Sequence, residues 1–223
     1  MSEIHVKDGE SIDSALKRFK RSCQKDGVKI VMNCEVTPEL IKEEKPDSVI
    51  IATGSKTLIL PIEGIDNPAI IHGSDLLDGK RAAGKKVLVV GGGMVGCETA
   101  AFLGEQEHDV TVIEFRDTVG ADVIHEHRVY LMKDFEDYGI KEITGAKVCK
   151  FYEDGVEYET ADGVRHETRG YDSVILSMGF RNYNPLEEKI KDLVPETHVI
   201  GDAIRARRAL DATKEAYAVA SKL

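Results

Sequence analysis

The segment Lys86-Val87-Leu88-Val89-Val90-Gly91-Gly92-Gly93-Met94-Val95-Gly96-Cys97-Glu98, followed by Val110-Thr111-Val112-Ile113-Glu114, constrains the fold of this chain more than any other stretch. Val87 to Val90 are four apolar residues in a row, the pattern of a strand buried on both faces. They run directly into G-x-G-x-x-G at Gly91, Gly93 and Gly96. In such a unit the first glycine permits the tight turn and the second lets the backbone approach a pyrophosphate. The third lets the following helix pack closely on the sheet. Unpaired N–H groups and the positive end of the helix dipole then attract the phosphates, so no lysine is required, and none occurs between Gly91 and Glu98. The helix is expected from Met94 to Leu103, with Val95, Thr99 and Phe102 facing the sheet and Gly104 ending it.

Glu114 closes the second strand, 18 positions after Gly96, where a carboxylate accepts hydrogen bonds from adenosine ribose hydroxyls. A carboxylate there repels a 2′-phosphate, so the expected ligand is NADH in preference to NADPH, with Arg116 softening the preference. The candidate cofactor contacts in this unit are Gly91, Gly92, Gly93, Met94, Val95, Gly96, Glu98, Glu114, Phe115 and Arg116. No catalytic side chain is assigned.

The formal charge of −10 and a pI near 5.2 argue against nucleic acid as the main partner. The residues Met-Ser-Glu-Ile-His at the start have no basic n-region or apolar core, and no apolar run approaches the roughly 20 residues of a membrane helix, so a cytoplasmic protein without a membrane partner is expected. Cys23, Cys34, Cys97 and Cys149 are scattered singly, and no metal-ligand spacing is present. Cys97 stands in the first turn of the phosphate-facing helix, where the dipole would lower a thiol pKa; it is read instead as a small, semi-buried helix residue. His125 and His127 flank Glu126 in a solvated helix.

Elsewhere the pattern predicts an amphipathic helix from Asp13 to Cys23, with Ile12, Ala15, Leu16 and Phe19 on one side and basic residues on the other, then a strand over Val28 to Met32. Thr37 caps a short helix with Pro38 at its first position, and Lys45-Pro46-Asp47 ends it. Ser48 to Ile51 form a buried strand leading into Ala52-Thr53-Gly54, and residues 55–86 a connector between domains. A helix spans Val123 to Tyr138, stopped by Gly139. Asp154-Gly155 and Asp162-Gly163 mark a three-stranded antiparallel meander between Gly145 and Glu167. The strand Ser173 to Leu176 runs into Ser177-Met178-Gly179, Thr197 to Asp202 is a short strand ending in Gly-Asp, and a helix covers about Ala209 to Ser221.

Together these residues resemble the pyridine nucleotide-disulfide oxidoreductase superfamily, in which an NAD(P)H domain is inserted into an FAD domain. Ala52-Thr53-Gly54 is similar to the family's crossover into the NADH domain, Ser177-Met178-Gly179 to the return, and Thr197 to Asp202 to its T-x-x-x-x-G-D motif. The resemblance implies Glu98 near the nicotinamide, Met178 and Gly179 along its edge, and Gly201 and Asp202 at the flavin ribityl chain. Val36 to Leu40, Pro46-Asp47 and Pro61 to Ile65 are most similar to the C-terminal reductase portion of enoate and 2,4-dienoyl-CoA reductases. FAD is implied as a second cofactor, yet the residues before Ala52 hold no glycine set for its ADP half. Ser14 to Cys23, with Ile4 to Lys7 and Gly27-Val28, resemble the start of bacterial small-subunit ribosomal protein twenty-one, so the chain reads as a fusion.

The expected architecture is therefore α/β: a Rossmann-like NAD(P)-binding domain, with a parallel sheet and the antiparallel meander, inserted into an incomplete FAD-binding domain. Its expected parts are a ribosomal-protein-like arm at 1–27, a partial FAD-type domain and connector at 28–86, the NAD(P)H domain at 87–180, and the remainder of the FAD-type domain at 181–223. Three functions stay open: an NADH-binding module that passes hydride equivalents to a flavin, a catalytically silent NAD(H)-binding fragment, and an RNA- or ribosome-associated protein acting through the basic arm. A partner chain or self-association is expected to complete the flavin domain.

Overall fold

A computed structural model describes residue 7 and residues 9–223. The Ile4-His5-Val6 part of the ribosomal-protein resemblance lies outside the described residues. The chain divides into two units, one of residues 1–49 and 185–197, the other of residues 50–184 and 198–223.

In the smaller unit, helix α1 (Ile12–Lys25) begins at Ser11, whose hydroxyl accepts the Ser14 N–H at 3.3 Å. The expected apolar stripe is largely open: Ala15 is buried, while Leu16 and Phe19 are exposed. Helix α2 (Pro38–Glu44) has the expected start, with Thr37 Oγ1 accepting the Leu40 N–H and Pro38 in the first turn, and it ends at Lys45 in the left-handed region. The strand expected over Val28 to Met32 is absent. No described strand pairs with that segment, and Val28, Val31 and Met32 stand in solvent, because β propensity without a hydrogen-bonded neighbour does not make a strand.

The remaining elements, in chain order, are β1 (Ser48–Ile51), β2 (Ser55–Thr57), β3 (Ile71–His72), α3 (Gly73–Leu77), β4 (Lys86–Val90), α4 (Met94–Glu105), β5 (Asp109–Ile113), α5 (His125–Asp137), β6 (Lys141–Ile143), β7 (Lys147–Tyr152), β8 (Gly155–Glu159), β9 (Arg165–Thr168), β10 (Ser173–Leu176), β11 (Phe180–Asn182), α6 (Glu187–Ile190), β12 (Glu196–Val199), a 3₁₀ turn (Gly201–Ala203) and α7 (Ala209–Ala220). β1 is only half buried, Ile51 being covered and Ile50 exposed.

The larger unit has the expected α/β architecture. Its central five-stranded sheet runs β3-β10-β4-β5-β6 and is parallel throughout, and β7-β8-β9 form the antiparallel meander. Both faces of the sheet are covered, which is why Val87 to Val90 are apolar without alternation. Val87 and Val89 pack with Cys97, Ala100 and Leu103 of α4 and Leu131 and Phe135 of α5. Leu88 and Val90 pack the other way, on Phe151 and Val156 of the meander. These four valine and leucine side chains are at most 2% exposed, a burial that stabilises by about 1.5–3 kcal/mol each.

Several expectations are corrected here. The α4 residues packed with Val87 and Val89 of the sheet are Cys97, Ala100 and Leu103, and Thr99 is buried as expected, whereas Phe102 is 43% exposed. Gly104 does not end the helix. It is the penultimate residue of α4, and a Cβ on it would stand 2.8 Å from Tyr138 Cβ, so the missing side chain permits the close approach of the end of α5. Residues 55–86 are more than a connector: Ile71 pairs with Ile175 of β10, and Ile71 and Leu76 join the core. The two-residue β3 is too short to leave a period in the sequence.

Candidate functional site

β4 and β10 lie side by side and parallel, with Val90 opposite Leu176. From β4 the chain proceeds through α4 to β5 on one side, while β10, far later in the chain, lies on the other side with β3 beyond it. A parallel sheet whose order reverses between adjacent strands leaves a crevice beyond their carboxyl ends. Here that crevice is a groove of about 1040 Å³ in the larger unit, lined by Gly91, Gly93, Met94 and Val95 after β4, Glu114, Phe115 and Arg116 after β5, and Met178 and Gly179 after β10.

Close contact dictates the glycine pattern. Gly91 has φ of 105°, and a Cβ on it would stand 2.4 Å from the Ser177 carbonyl oxygen. At Gly96 a Cβ would stand 1.8 Å from the Gly91 carbonyl oxygen, so any other residue would force α4 away from the loop. Glu114 is fixed beside this turn: Oε2 accepts the Gly92 N–H at 2.6 Å and Oε1 the Arg116 N–H at 2.9 Å. A carboxylate has about four acceptor positions, so two remain for hydroxyl donors.

The segment after β5 folds back over the glycine loop, held by the Gly120 N–H donating to the Gly92 carbonyl at 2.7 Å. It brings Asp122 to the start of α4, where Oδ1 accepts the Met94 N–H at 2.9 Å and Oδ2 lies 3.2 Å from the Cβ position of Gly93. Sequence reasoning missed Asp122. No local pattern marks it, since its importance comes from a loop closing across 28 positions.

The crossover and the return lie together. β2 pairs antiparallel with β11, Ser55 opposite Asn182, while the Thr53 hydroxyl donates to the Tyr183 carbonyl and the Tyr183 N–H donates to the Gly54 carbonyl at 2.9 Å. Ala52, Thr53 and Gly54 thus hold the two connecting segments side by side and do not line the groove; Ser55 does. Asp202 lines it too, with Oδ2 accepting the Ser55 hydroxyl at 3.1 Å and Oδ1 the Arg207 N–H at 3.0 Å. Gly201 sits behind, its N–H donating to Glu215. Arg205, Arg207, Arg208 and Asp211 also line this end of the groove, with Arg207 paired with Glu215 at 2.5 Å and Arg208 with Asp211 at 3.8 Å.

Gly92 and Gly96 lie beneath the lining, and Glu98 is outside it on the exposed side of α4, 3.4 Å from His127 of α5. His125, Glu126 and His127 are exposed at the start of α5, with His127 Nε2 beside the Glu98 carboxylate. Cys97 is fully buried, with its thiol donating to the Gly92 carbonyl at 3.2 Å. Burial pushes its pKa up to about 12, outweighing any lowering by the helix dipole. Among the described residues no cluster of three or more His, Cys, Asp or Glu could hold a metal ion, and no helix is long and apolar enough to cross a membrane.

The family model for pyridine nucleotide-disulphide oxidoreductases matches residues 5–197. Cinnamate reductase of Clostridium sporogenes is 30% identical over 222 residues, 98% of this chain and 33% of the relative. NADH oxidase of Thermoanaerobacter brockii is 32% identical over 199 residues, 87% of this chain and 30% of the relative. Among solved structures, 2-naphthoyl-CoA reductase in complex with 2-naphthoyl-CoA superposes with a TM-score of 0.82 at 30% identity, covering 95% of this chain and 32% of that one. The chain spans about a third of the length of these relatives. The family match runs through residues 5–27, the arm that resembles a ribosomal protein.

Proposed function

The chain belongs to the pyridine nucleotide-disulphide oxidoreductase family, and on that premise we propose that the groove beyond β4 and β10 binds NADH and orients it for hydride transfer to a flavin. One observation carries the reading: at the sheet's switch point, a loop that only glycine can form abuts the N-terminus of α4, with a fixed carboxylate beside it. The residues fit a dinucleotide. The start of α4 presents the helix dipole to a diphosphate, and the amides of Gly93 and Val95 lie there beside that of Met94, while the Gly91 and Gly92 N–H groups are taken by the Ile113 carbonyl and Glu114. The free acceptor positions of Glu114 suit the adenosine ribose hydroxyls, while its charge opposes a 2′-phosphate, which favours NADH over NADPH even with Arg116 adjacent.

Bound NADH supplies a hydride, and the protein's task is positioning, with no protein nucleophile required. Met178 and Gly179, at the end of β10, edge the groove where the nicotinamide half would extend. Asp202 holds Ser55 and the Arg207 amide, leaving acceptor capacity for a polyol such as the flavin ribityl chain. Glu98, turned toward His127, is assigned no contact in this reading. The family match through the basic arm favours the oxidoreductase reading over RNA binding.

Fluorescence titration with NADH tests the proposal. Glu114→Ala is expected to weaken binding by about 1–2 kcal/mol, the size of a lost charge-assisted hydrogen bond, and to narrow the preference over NADPH. An unchanged affinity ratio refutes the role of Glu114. Flavin absorbance that bleaches on adding NADH supports hydride transfer, whereas a colourless protein that still binds NADH leaves only the binding module.

A further inference from the structure

We infer that Asp122 occupies the place of the dinucleotide's diphosphate at the N-terminus of α4 and must be displaced when the cofactor enters, so that this one carboxylate limits the affinity of the groove. The inference rests on the dinucleotide reading above and deepens it.

Three observations converge. Met94 carries the first amide of α4, and its single proton is already donated to Asp122 Oδ1 at 2.9 Å. One N–H makes one strong hydrogen bond, so carboxylate and phosphate oxygen compete for it. The second oxygen of the same carboxylate stands 3.2 Å from where a Gly93 Cβ would project. The space kept open by the absent side chain is therefore bordered by Asp122, and the residue lines the groove itself. Finally, Asp122 is exposed, on a segment pinned at Gly120 by its bond to Gly92 and at Thr118 by Arg128 Nη2 at 2.9 Å. The anchors hold the loop while the Asp122 side chain, with solvent beside it, remains able to rotate away.

The physical logic is that of a helix cap. The first amides of a helix lack intrahelical partners, and a side-chain carboxylate both satisfies one of them and matches the positive dipole end. In the ligand-free protein Asp122 stabilises the start of α4, which has no cap from Gly93. For an incoming anion the same carboxylate is a competitor for the amide and a like charge beside the diphosphate.

The two roles give opposite signs, and that makes the test specific. Asp122→Asn keeps an acceptor but removes the charge, and Asp122→Ala removes both. Calorimetric titration with NADH is expected to show both variants binding roughly three- to tenfold tighter than the wild type. Thermal melting without NADH is expected to show Asp122→Ala lowered by about 2–4 °C, with the Asn variant in between. Wild-type binding that is weakened by Glu114→Ala but unchanged or weaker in both Asp122 variants overturns this inference and leaves the dinucleotide reading standing. Absence of NADH binding in every variant overturns both.

Discussion

Gly96→Ala and Gly93→Ala separate the glycine that builds the groove from the glycine that admits a ligand. At Gly96 an added Cβ would lie 1.8 Å from the Gly91 carbonyl oxygen, and the contact must open to at least 3.0 Å, so something must move by over an ångström. Both partners are backbone, which leaves no side chain to rotate away, and α4 has to lift from β4. Overpacking of this kind costs about 3 kcal/mol, against roughly 1 kcal/mol gained from alanine's helix propensity. The net loss of about 2 kcal/mol corresponds to a fall of roughly 4–8 °C in melting temperature for a chain of this size. At Gly93 the nearest atom is Asp122 Oδ2 at 3.2 Å, the end of an exposed side chain, and the backbone φ of −74° suits alanine. Its cost is confined to the poorer helix cap, about 1 kcal/mol or less. The same methyl would stand between the amides and a diphosphate, so NADH affinity is expected to fall at least about tenfold by fluorescence titration. A Gly96→Ala protein as stable as the wild type, or a Gly93→Ala protein with wild-type affinity, refutes the reasoning.

Two further outcomes follow from burial and charge. With its thiol buried and its pKa near 12, Cys97 is expected to stay unreacted with an aromatic disulfide at neutral pH while Cys34 reacts at once; rapid modification of all four thiols in the folded protein contradicts this. Glu10, which accepts from Arg18 Nε at 2.7 Å, has its pKa lowered from 4.5 to about 2 by that guanidinium and by the Lys7 N–H. A depressed folded-state pKa contributes stability that is full above the unfolded value and lost as pH falls. Denaturant midpoints of the wild type should therefore approach those of Glu10→Gln between pH 4.5 and 2, and parallel curves would exclude the linkage.

The legible parts of the fold were those written locally. Val87 to Val90, the glycine spacing and Thr37-Pro38 each encode their conformation within a few residues, and the two Asp-Gly pairs encode the turns of the meander, so their elements stand where the sequence indicates. Val28 to Met32 has the composition of a strand and forms none, while Ile71–His72 shows no period and completes the central sheet. In both, the outcome depends on whether a neighbouring strand is present, which residue order alone does not specify. On α4 Thr99 is buried as its spacing indicates, but Phe102 is exposed and Cys97 and Ala100 pack on the sheet, because small residues, weak as hydrophobic signals, mark the closest packing.

By itself the sequence determined that a strand, a glycine turn, a helix and a carboxylate would follow in order, because each is fixed by backbone sterics and burial within a single βαβ unit. Only the tertiary structure decided what gathers at the mouth of that unit: β10 taking the place beside β4, Asp202 and its arginines joining the far end, and Asp122 reaching the first amide of α4 from 28 positions away. Those placements arise from strand order and loop closure, long-range contacts whose stabilisation appears only once the sheet has assembled.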